Sequence, residues 1–239
     1  MDTPPVLFNI EENIAWITLN RPERRNAINQ ALLIHLYNAM DEVNRNDGIR
    51  VVIITGNGKS FCSGLDLDVI ATENLFDPRG DGSDLPDLMA ACRKPIIGAV
   101  NGHAITGGFE LALNCDFLIA SDRAMFADTH AKVGIHPGWG MTQLLQQAIG
   151  QRRAKQMSFT CQFISAEKAC DWGLVNEVVP PEMLLPRARE IAGQICRVNQ
   201  GMLKTVRELI EYRNTSTLSG ALAHERDGFR EFLKAMMGK

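Results

Sequence analysis

Aromatic side chains are scarce in this sequence: Phe, Trp and Tyr together make up 6% of 239 residues, with three Trp and two Tyr. The core must therefore be assembled from aliphatic side chains and from the ten methionines. No apolar run approaches the roughly 18–20 residues needed to cross a bilayer, so no membrane partner is expected. The start, Met1-Asp2-Thr3-Pro4-Pro5, has neither the basic nor the apolar region of a secretory signal. Neither sign of charge dominates, with 25 Lys+Arg against 28 Asp+Glu and a net charge of −3. That balance excludes a whole-protein basic field for nucleic acid, though not a local basic patch. The six cysteines (Cys62, Cys92, Cys115, Cys161, Cys170, Cys196) form no CxxC pair and have no accompanying His spacing. This speaks against a metal site or a disulfide framework and for a reducing compartment, so a soluble cytoplasmic protein is expected.

What is present is ordinary in bulk and specific in pattern. Hydrophobic residues are 45% and charged residues 22%, which fits one domain, or one domain with an appendage. Val6–Ile10 and Ile14–Asn20 read as an N-terminal hairpin across Glu11-Glu12-Asn13. From Ile28, apolar residues at Leu32, Leu36, Met40 and Val43 form a helical stripe. The runs Arg50–Thr55, Pro95–Val100 and Asp116–Ala120 read as strands buried on both faces, with helical stretches between them. The expected fold class is α/β, with mostly parallel strands and right-handed crossovers. Leu67–Leu85 has no periodicity and reads as a mobile surface loop beside a site. After Pro180-Pro181 the pattern is helical over 183–198, 202–212 and 218–236. That tail is too short to hold a core easily and should pack on the α/β body or on a neighbouring subunit.

Two segments share one layout of buried strand, glycine-rich turn and helix start. The first runs from Val51–Thr55 into Gly56-Asn57-Gly58-Lys59-Ser60-Phe61-Cys62-Ser63-Gly64-Leu65-Asp66. The second runs from Pro95–Val100 into Asn101-Gly102-His103-Ala104-Ile105-Thr106-Gly107-Gly108-Phe109-Glu110. Free backbone N–H groups at such turns can hold an anion, helped by a helix dipole. Gly58-Lys59-Ser60 ends like a phosphate-binding loop, but the required earlier glycine is Ile53. A dinucleotide fingerprint from Gly56, or a nucleophile elbow around Ser63, would each need glycine where Phe61 stands. What remains is an oxyanion site, with two turns aiming N–H groups at one oxygen.

The motifs Asn20-Arg21-Pro22 with Asn26-Ala27, Phe61-Cys62-Ser63-Gly64-Leu65-Asp66, Gly107-Gly108-Phe109-Glu110-Leu111, and Pro137-Gly138 before Thr142-Gln143 resemble the crotonase (enoyl-CoA hydratase/isomerase) superfamily. The resemblance runs in order over nearly the whole chain. It implies a spiral of ββα units over residues 1–199 and a C-terminal helical trimerisation region over 200–239, in a homotrimer or a dimer of trimers. It also implies an acyl-CoA thioester as ligand and no cofactor apart from the CoA of the substrate. By that resemblance the N–H groups of Leu65 and Gly107 form the oxyanion hole, Glu110 is the catalytic acid/base, and His130 stands where hydratases carry a second glutamate. Arg24, Arg25 and Ala27 would lie at the CoA end. Cys62, Gly64 and Asp66 of the first turn, Gly108 of the second, and Trp139 would line the substrate.

Three features depart from the superfamily's pattern. His130 replaces a carboxylate, Trp139 is large where a small residue is common, and a segment is missing between Asp227 and Phe229. The C-terminus is therefore expected to leave the site more open, and Lys234 carries no CoA contact. Other polar residues read as structural. Asp66 reads as a brace rather than a base, Asp116, His103 and His136 as structural, and Asp128 as pointing away from His130. Cys62 has nothing nearby to activate a thiol. The expected reaction is hydration of a 2-enoyl-CoA to a 3-hydroxyacyl-CoA. The alternatives are another enolate reaction (isomerisation, thioester hydrolysis or decarboxylation) or non-catalytic acyl-CoA binding.

Overall fold

The run Val51-Val52-Ile53-Ile54 is apolar at every position because both of its faces are covered. In the computed structural model, which describes residues 3–238, Val52 and Ile54 join one hydrophobic cluster while Val51 and Ile53 join another. The same alternation splits Ile96 from Ile97 and Leu118 from Ile119.

In chain order the elements are β1 (Val6–Glu11), β2 (Ile14–Leu19), α1 (Gln30–Arg45), β3 (Val51–Gly56) and β4 (Ser60–Cys62). They continue with α2 (Leu85–Ala90), β5 (Ile96–Val100), β6 (His103–Ile105), α3 (Gly107–Leu113), β7 (Phe117–Ser121) and β8 (Met125–Ala127). Then follow α4 (His130–Val133), α5 (Met141–Ile149), α6 (Gln151–Thr160), β9 (Ile164–Ser165), α7 (Ala166–Asp171) and β10 (Glu177–Val179). The chain closes with α8 (Leu184–Arg197), α9 (Gln200–Tyr212) and α10 (Leu218–Met237).

The large sheet has the order β1-β2-β3-β5-β7-β10 and is parallel apart from the β1–β2 hairpin. Helix α1 buries Leu32, Leu36, Met40 and Val43, the stripe read from the sequence, on the side of Val52 and Ile54. It begins at Gln30 rather than Ile28 because the Asn29 side chain caps it, accepting from the Leu32 N–H. Helix α8 lays Leu184, Ala188 and Ala192 on the opposite face. Close packing of the strands needs Gly98, where a Cβ would lie 2.4 Å from the Leu118 side chain.

A second, smaller sheet was not foreseen from sequence: β4-β6-β8-β9, in which β4, β6 and β8 are parallel neighbours. Each of these three strands follows a central strand of the large sheet (β3, β5 and β7 respectively), so the fold repeats a strand–strand–helix step. The consequence for function is positional: the segments leaving β4, β6 and β8 emerge side by side at one edge. By contacts the chain divides at Cys196/Arg197. The second unit contains α9 and α10, whose apolar residues Ile210, Leu218, Phe229 and Met236 are exposed within the single chain. No helix among the described residues is long and apolar enough to cross a membrane.

Candidate active site

The three segments leaving the small sheet each supply one part of a pocket. After β4, Ile28 donates its N–H to Gly64 O and accepts at its own carbonyl from the Asp66 N–H, both at 2.8 Å. This bridge uses the residues flanking Leu65, so the Leu65 N–H faces the other way, and no acceptor among the described residues takes it. After β6, Gly107 opens α3, where a first-turn amide has no intrahelical partner. The two turns adjoin: a Cβ on Gly64 would be 3.5 Å from the Gly107 nitrogen, and one on Gly107 would be 3.6 Å from the Leu65 nitrogen. Two unpaired main-chain donors thus lie together at the pocket wall.

The second turn is held under strain. Thr106 has φ 51° and ψ −115°, a conformation that an L-residue avoids at a cost of about 1–3 kcal/mol. Its N–H donates to Ala127 O at 2.9 Å, and its hydroxyl shares a 2.5 Å hydrogen bond with that of Thr129. Gly108 sits directly against β4, since a Cβ there would lie 2.2 Å from Cys62 O. This is the reason for the Gly-Gly pair: one glycine faces the pocket and the next faces the neighbouring strand.

Glu110 lies in the first turn of α3, almost wholly buried. One carboxylate oxygen, Oε1, accepts from the backbone N–H of Trp139 (2.9 Å) and of Met141 (3.1 Å) at the start of α5. The other, Oε2, faces His130 Nε2 at 3.5 Å. Both residues line the pocket with Leu65, Gly107 and Trp139. After β8, His130 opens α4 and is likewise buried. Its Nδ1 is 2.7 Å from Asp128 Oδ1, which also accepts from the His130 backbone N–H at 3.1 Å. Burial by itself would lower the imidazole pKa, but the hydrogen bonds and negative charges of Asp128 and Glu110 outweigh it and push it up to about 9. Burial would raise Asp128 in turn, yet hydrogen bonds from His130 and Ser158 hold its carboxyl below the usual range. The site therefore sets the Glu110 carboxyl, the His130 imidazole and the Asp128 carboxyl in a row.

The expectation for Asp128 is thus corrected: it does not point away but grips His130. Thr129, at φ −109° and ψ 14°, turns the chain so that the Asp128 carboxylate meets the N–H two residues on. His136, expected to be structural, lies at the mouth of the pocket. Of the residues expected around the substrate, Gly64 and Trp139 do line the pocket. Trp139 is buried beneath it, its ring 3.5 Å from where a Gly107 Cβ would stand.

Others sit behind the wall. The Cys62 thiol is fully buried, donates to Asn26 O at 3.1 Å and is pushed up to about 12 by that burial, so it is neither nucleophile nor side-chain contact. Asp66, read both as a brace and as a substrate neighbour, is not among the pocket-lining residues, and its carboxylate pairs with Arg21 at 3.0 Å and with Arg24 at 3.9 Å. Arg24 is half-exposed and also pairs with Asp68 at 2.7 Å, while Arg25 is exposed and its carbonyl accepts from the Ser63 N–H at 3.1 Å. Ala27 is buried, and its carbonyl accepts from the Arg21 guanidinium.

Two supporting asparagines escaped the sequence reading. Asn26 is fully buried and donates to Asn57 O, Ser60 O and Phe61 O at 3.0, 2.8 and 3.1 Å while accepting from the Arg21 N–H at 2.8 Å. It fastens the first turn to the Arg21 segment. Asn114 donates to Glu110 O and Trp139 O, both at 2.8 Å, and so sets the Trp139 loop over Glu110. Asn26 stands in a left-handed conformation, φ 56°, which asparagine adopts more readily than most residues.

The arrangement can therefore hold a carbonyl oxygen on two amides and move protons through Glu110 and His130. Comparison with known proteins shows the family. The family model described as enoyl-CoA hydratase/isomerase matches residues 9–237. A relative from Arabidopsis thaliana called probable enoyl-CoA hydratase 1, peroxisomal, is 42% identical over 93% of this chain and 84% of its own. The crotonyl-CoA hydratase of Syntrophomonas wolfei is 36% identical over 94% of this chain and 88% of its own. The crystal structure of an enoyl-CoA hydratase from Mycobacterium avium superposes with a TM-score of 0.80 at 39% identity, covering 98% of this chain and 100% of that one.

Proposed function

The chain belongs to the enoyl-CoA hydratase/isomerase family, and from that premise we propose that it adds water across the double bond of a 2-enoyl-CoA to give a 3-hydroxyacyl-CoA. The observation that carries this reading is the Glu110 carboxylate, fixed through Oε1 by two main-chain donors and turned through Oε2 into the pocket beside the Leu65 and Gly107 amides. The thioester oxygen sits on those two amides, which take up the enolate charge as water attacks the β-carbon. Donors placed in advance in this way are worth about 3–4 kcal/mol each. Glu110 receives the proton of the water, and His130 stands by as the second proton-handling group. Enolate charge and protons are both accounted for by these groups, so the chemistry calls for no cofactor beyond the CoA of the substrate. Gly64 and Trp139 bound the acyl group. Arg24 and Arg25, both exposed, meet the CoA phosphates, with the backbone at Ala27 beside them.

A second reading within the family has its own support. His130 Nε2 and Glu110 Oε2 are 3.5 Å apart, which leaves no room for a water between them. A pair in direct contact also suits shuttling one proton along the acyl chain, as in double-bond isomerisation.

The deciding experiment follows the absorbance of the conjugated enoyl thioester with 2-enoyl-CoAs of short, medium and long chain. Glu110→Gln should lower kcat by about 10²–10⁴-fold while KM stays near wild type. A wild type that leaves 2-enoyl-CoA untouched but converts 3-enoyl-CoA would make the isomerase reading correct. One that binds acyl-CoA and returns it unchanged would make the protein a binder.

Other features support an assembly and a location. The apolar residues exposed on α9 and α10 support a homotrimer, or a dimer of trimers, in which a neighbouring copy covers them. Six cysteines, none in a disulfide among the described residues, support a reducing compartment such as the cytoplasm.

A further inference from the structure

We propose that Asp128 is a positioning residue for His130. By gripping Nδ1 from within the turn, it fixes the ring with Nε2 toward Glu110, so that the two groups facing the substrate have one proton to give and one place to take one. The chemistry of this inference rests on the hydration reading; the positioning itself does not.

Three observations carry it. The same oxygen, Asp128 Oδ1, accepts from both the ring nitrogen and the backbone nitrogen of His130, so neither ring rotation nor a flip is free. The carboxylate is buried, 2% exposed, where an acidic group with no task would be costly. And the imidazole has carboxylates on opposite nitrogens, a short one at 2.7 Å and a longer one at 3.5 Å. With Nδ1–H committed to Asp128, the proton on Nε2 is the one that can leave toward the pocket. The charged groups facing His130 are Asp128 from its own turn and Glu110 from α3. Ser158 of α6 reaches it only through Asp128, and His136 is the other titratable group lining the pocket. An imidazole raised to about 9 enters the reaction charged at neutral pH, in keeping with this geometry.

The step balances. A water oxygen bonds to the β-carbon and loses one proton to Glu110. The electron pair of the double bond passes to the α-carbon and the thioester oxygen, held by the Leu65 and Gly107 amides. The α-carbon then takes the Nε2 proton of His130, and one water has been added. Glu110 is left protonated and His130 neutral. Their direct contact lets the proton pass back from Oε2 to Nε2, which restores the starting state without solvent.

The test uses Asp128→Asn, with Asp128→Ser as a second variant should the first fail to fold. His130 is titrated in the substrate-free protein by NMR of ¹³Cε1-labelled histidine, the signal being assigned by its loss in His130→Gln. The expected result is a midpoint lower than wild type by about one unit or more. With a four-carbon 2-enoyl-CoA, kcat at pH 8 should fall about tenfold or more, the deficit should shrink to roughly threefold at pH 6, and KM should change less than kcat. An unchanged midpoint, or a loss of kcat equal at all pH values, overturns the proposal and leaves Asp128 a structural brace. If the wild type does not hydrate at all, the hydration reading fails by itself, and the NMR midpoint alone decides the role of Asp128.

Discussion

The pocket has two walls built on different principles. In the proposed reaction the working groups of the Leu65/Gly107 wall are main-chain amides, held in place by the backbone bridge to Ile28, by four hydrogen bonds of the Asn26 side chain and by the strained backbone of Thr106. On the Glu110/His130 wall they are side chains, Glu110 held by the main-chain N–H groups of Trp139 and Met141 and His130 by the Asp128 carboxylate. A main-chain wall tolerates no change in backbone spacing but is indifferent to the identity of Leu65. A side-chain wall can exchange glutamate for histidine as long as a new partner, here Asp128, appears beside it.

The largest effect should come from disturbing the main-chain wall without touching a working group. In Gly108→Ala, the new Cβ would meet Cys62 O at 2.2 Å, and backbone on both sides would have to move. Separating the two amides forfeits at least one donor, so kcat should drop about 10²–10³-fold with circular dichroism near wild type. Retention of full activity would show that the two turns need not lie so close. Next in size is Asn26→Ala, which strips partners from the Arg21 N–H and from three carbonyls at once. At about 1 kcal/mol for each hydrogen bond, the urea midpoint should report a loss near 4 kcal/mol. A loss under about 1 kcal/mol would mean that water replaces the side chain and that the first turn holds itself.

These predictions also mark what could be read from residues alone. The central strands were legible because Val51–Ile54 and Ile96–Val100 are apolar without interruption. The two glycine turns were legible because nothing else explains so many glycines after buried strands. The small sheet was not, since strands of three residues such as Ser60–Cys62 and His103–Ile105 are too short to show a period. Asp128 was misread for a related reason. At two residues' distance its direction depends wholly on the backbone of Thr129, and a turn there rather than extended chain brings carboxylate and imidazole together. The pattern Asp-x-His after a short strand is the turn signal that would have suggested it.

The smallest expected effect separates the walls by pH. The folded state raises the His130 pKa from 6.5 to about 9, because its bonds to Asp128 and Glu110 prevail over its burial. A group held higher in the folded than in the unfolded chain stabilises fully below its unfolded value, and that stability drains away as pH rises through the folded one. The contribution of His130 should therefore be complete below about pH 6.5 and lost by about pH 9–10, an amount on the order of 3 kcal/mol. Asp128, held below its usual range, behaves in the opposite sense: its share is present above about pH 4 and disappears on acidification. Urea midpoints at pH 6, 8 and 9.5 should accordingly fall more steeply for wild type than for His130→Gln. Gly108→Ala, which alters only the main-chain wall, should keep the wild-type slope. Parallel curves for wild type and His130→Gln would show that the imidazole is not held charged, and the contrast between the two walls would then rest on geometry alone.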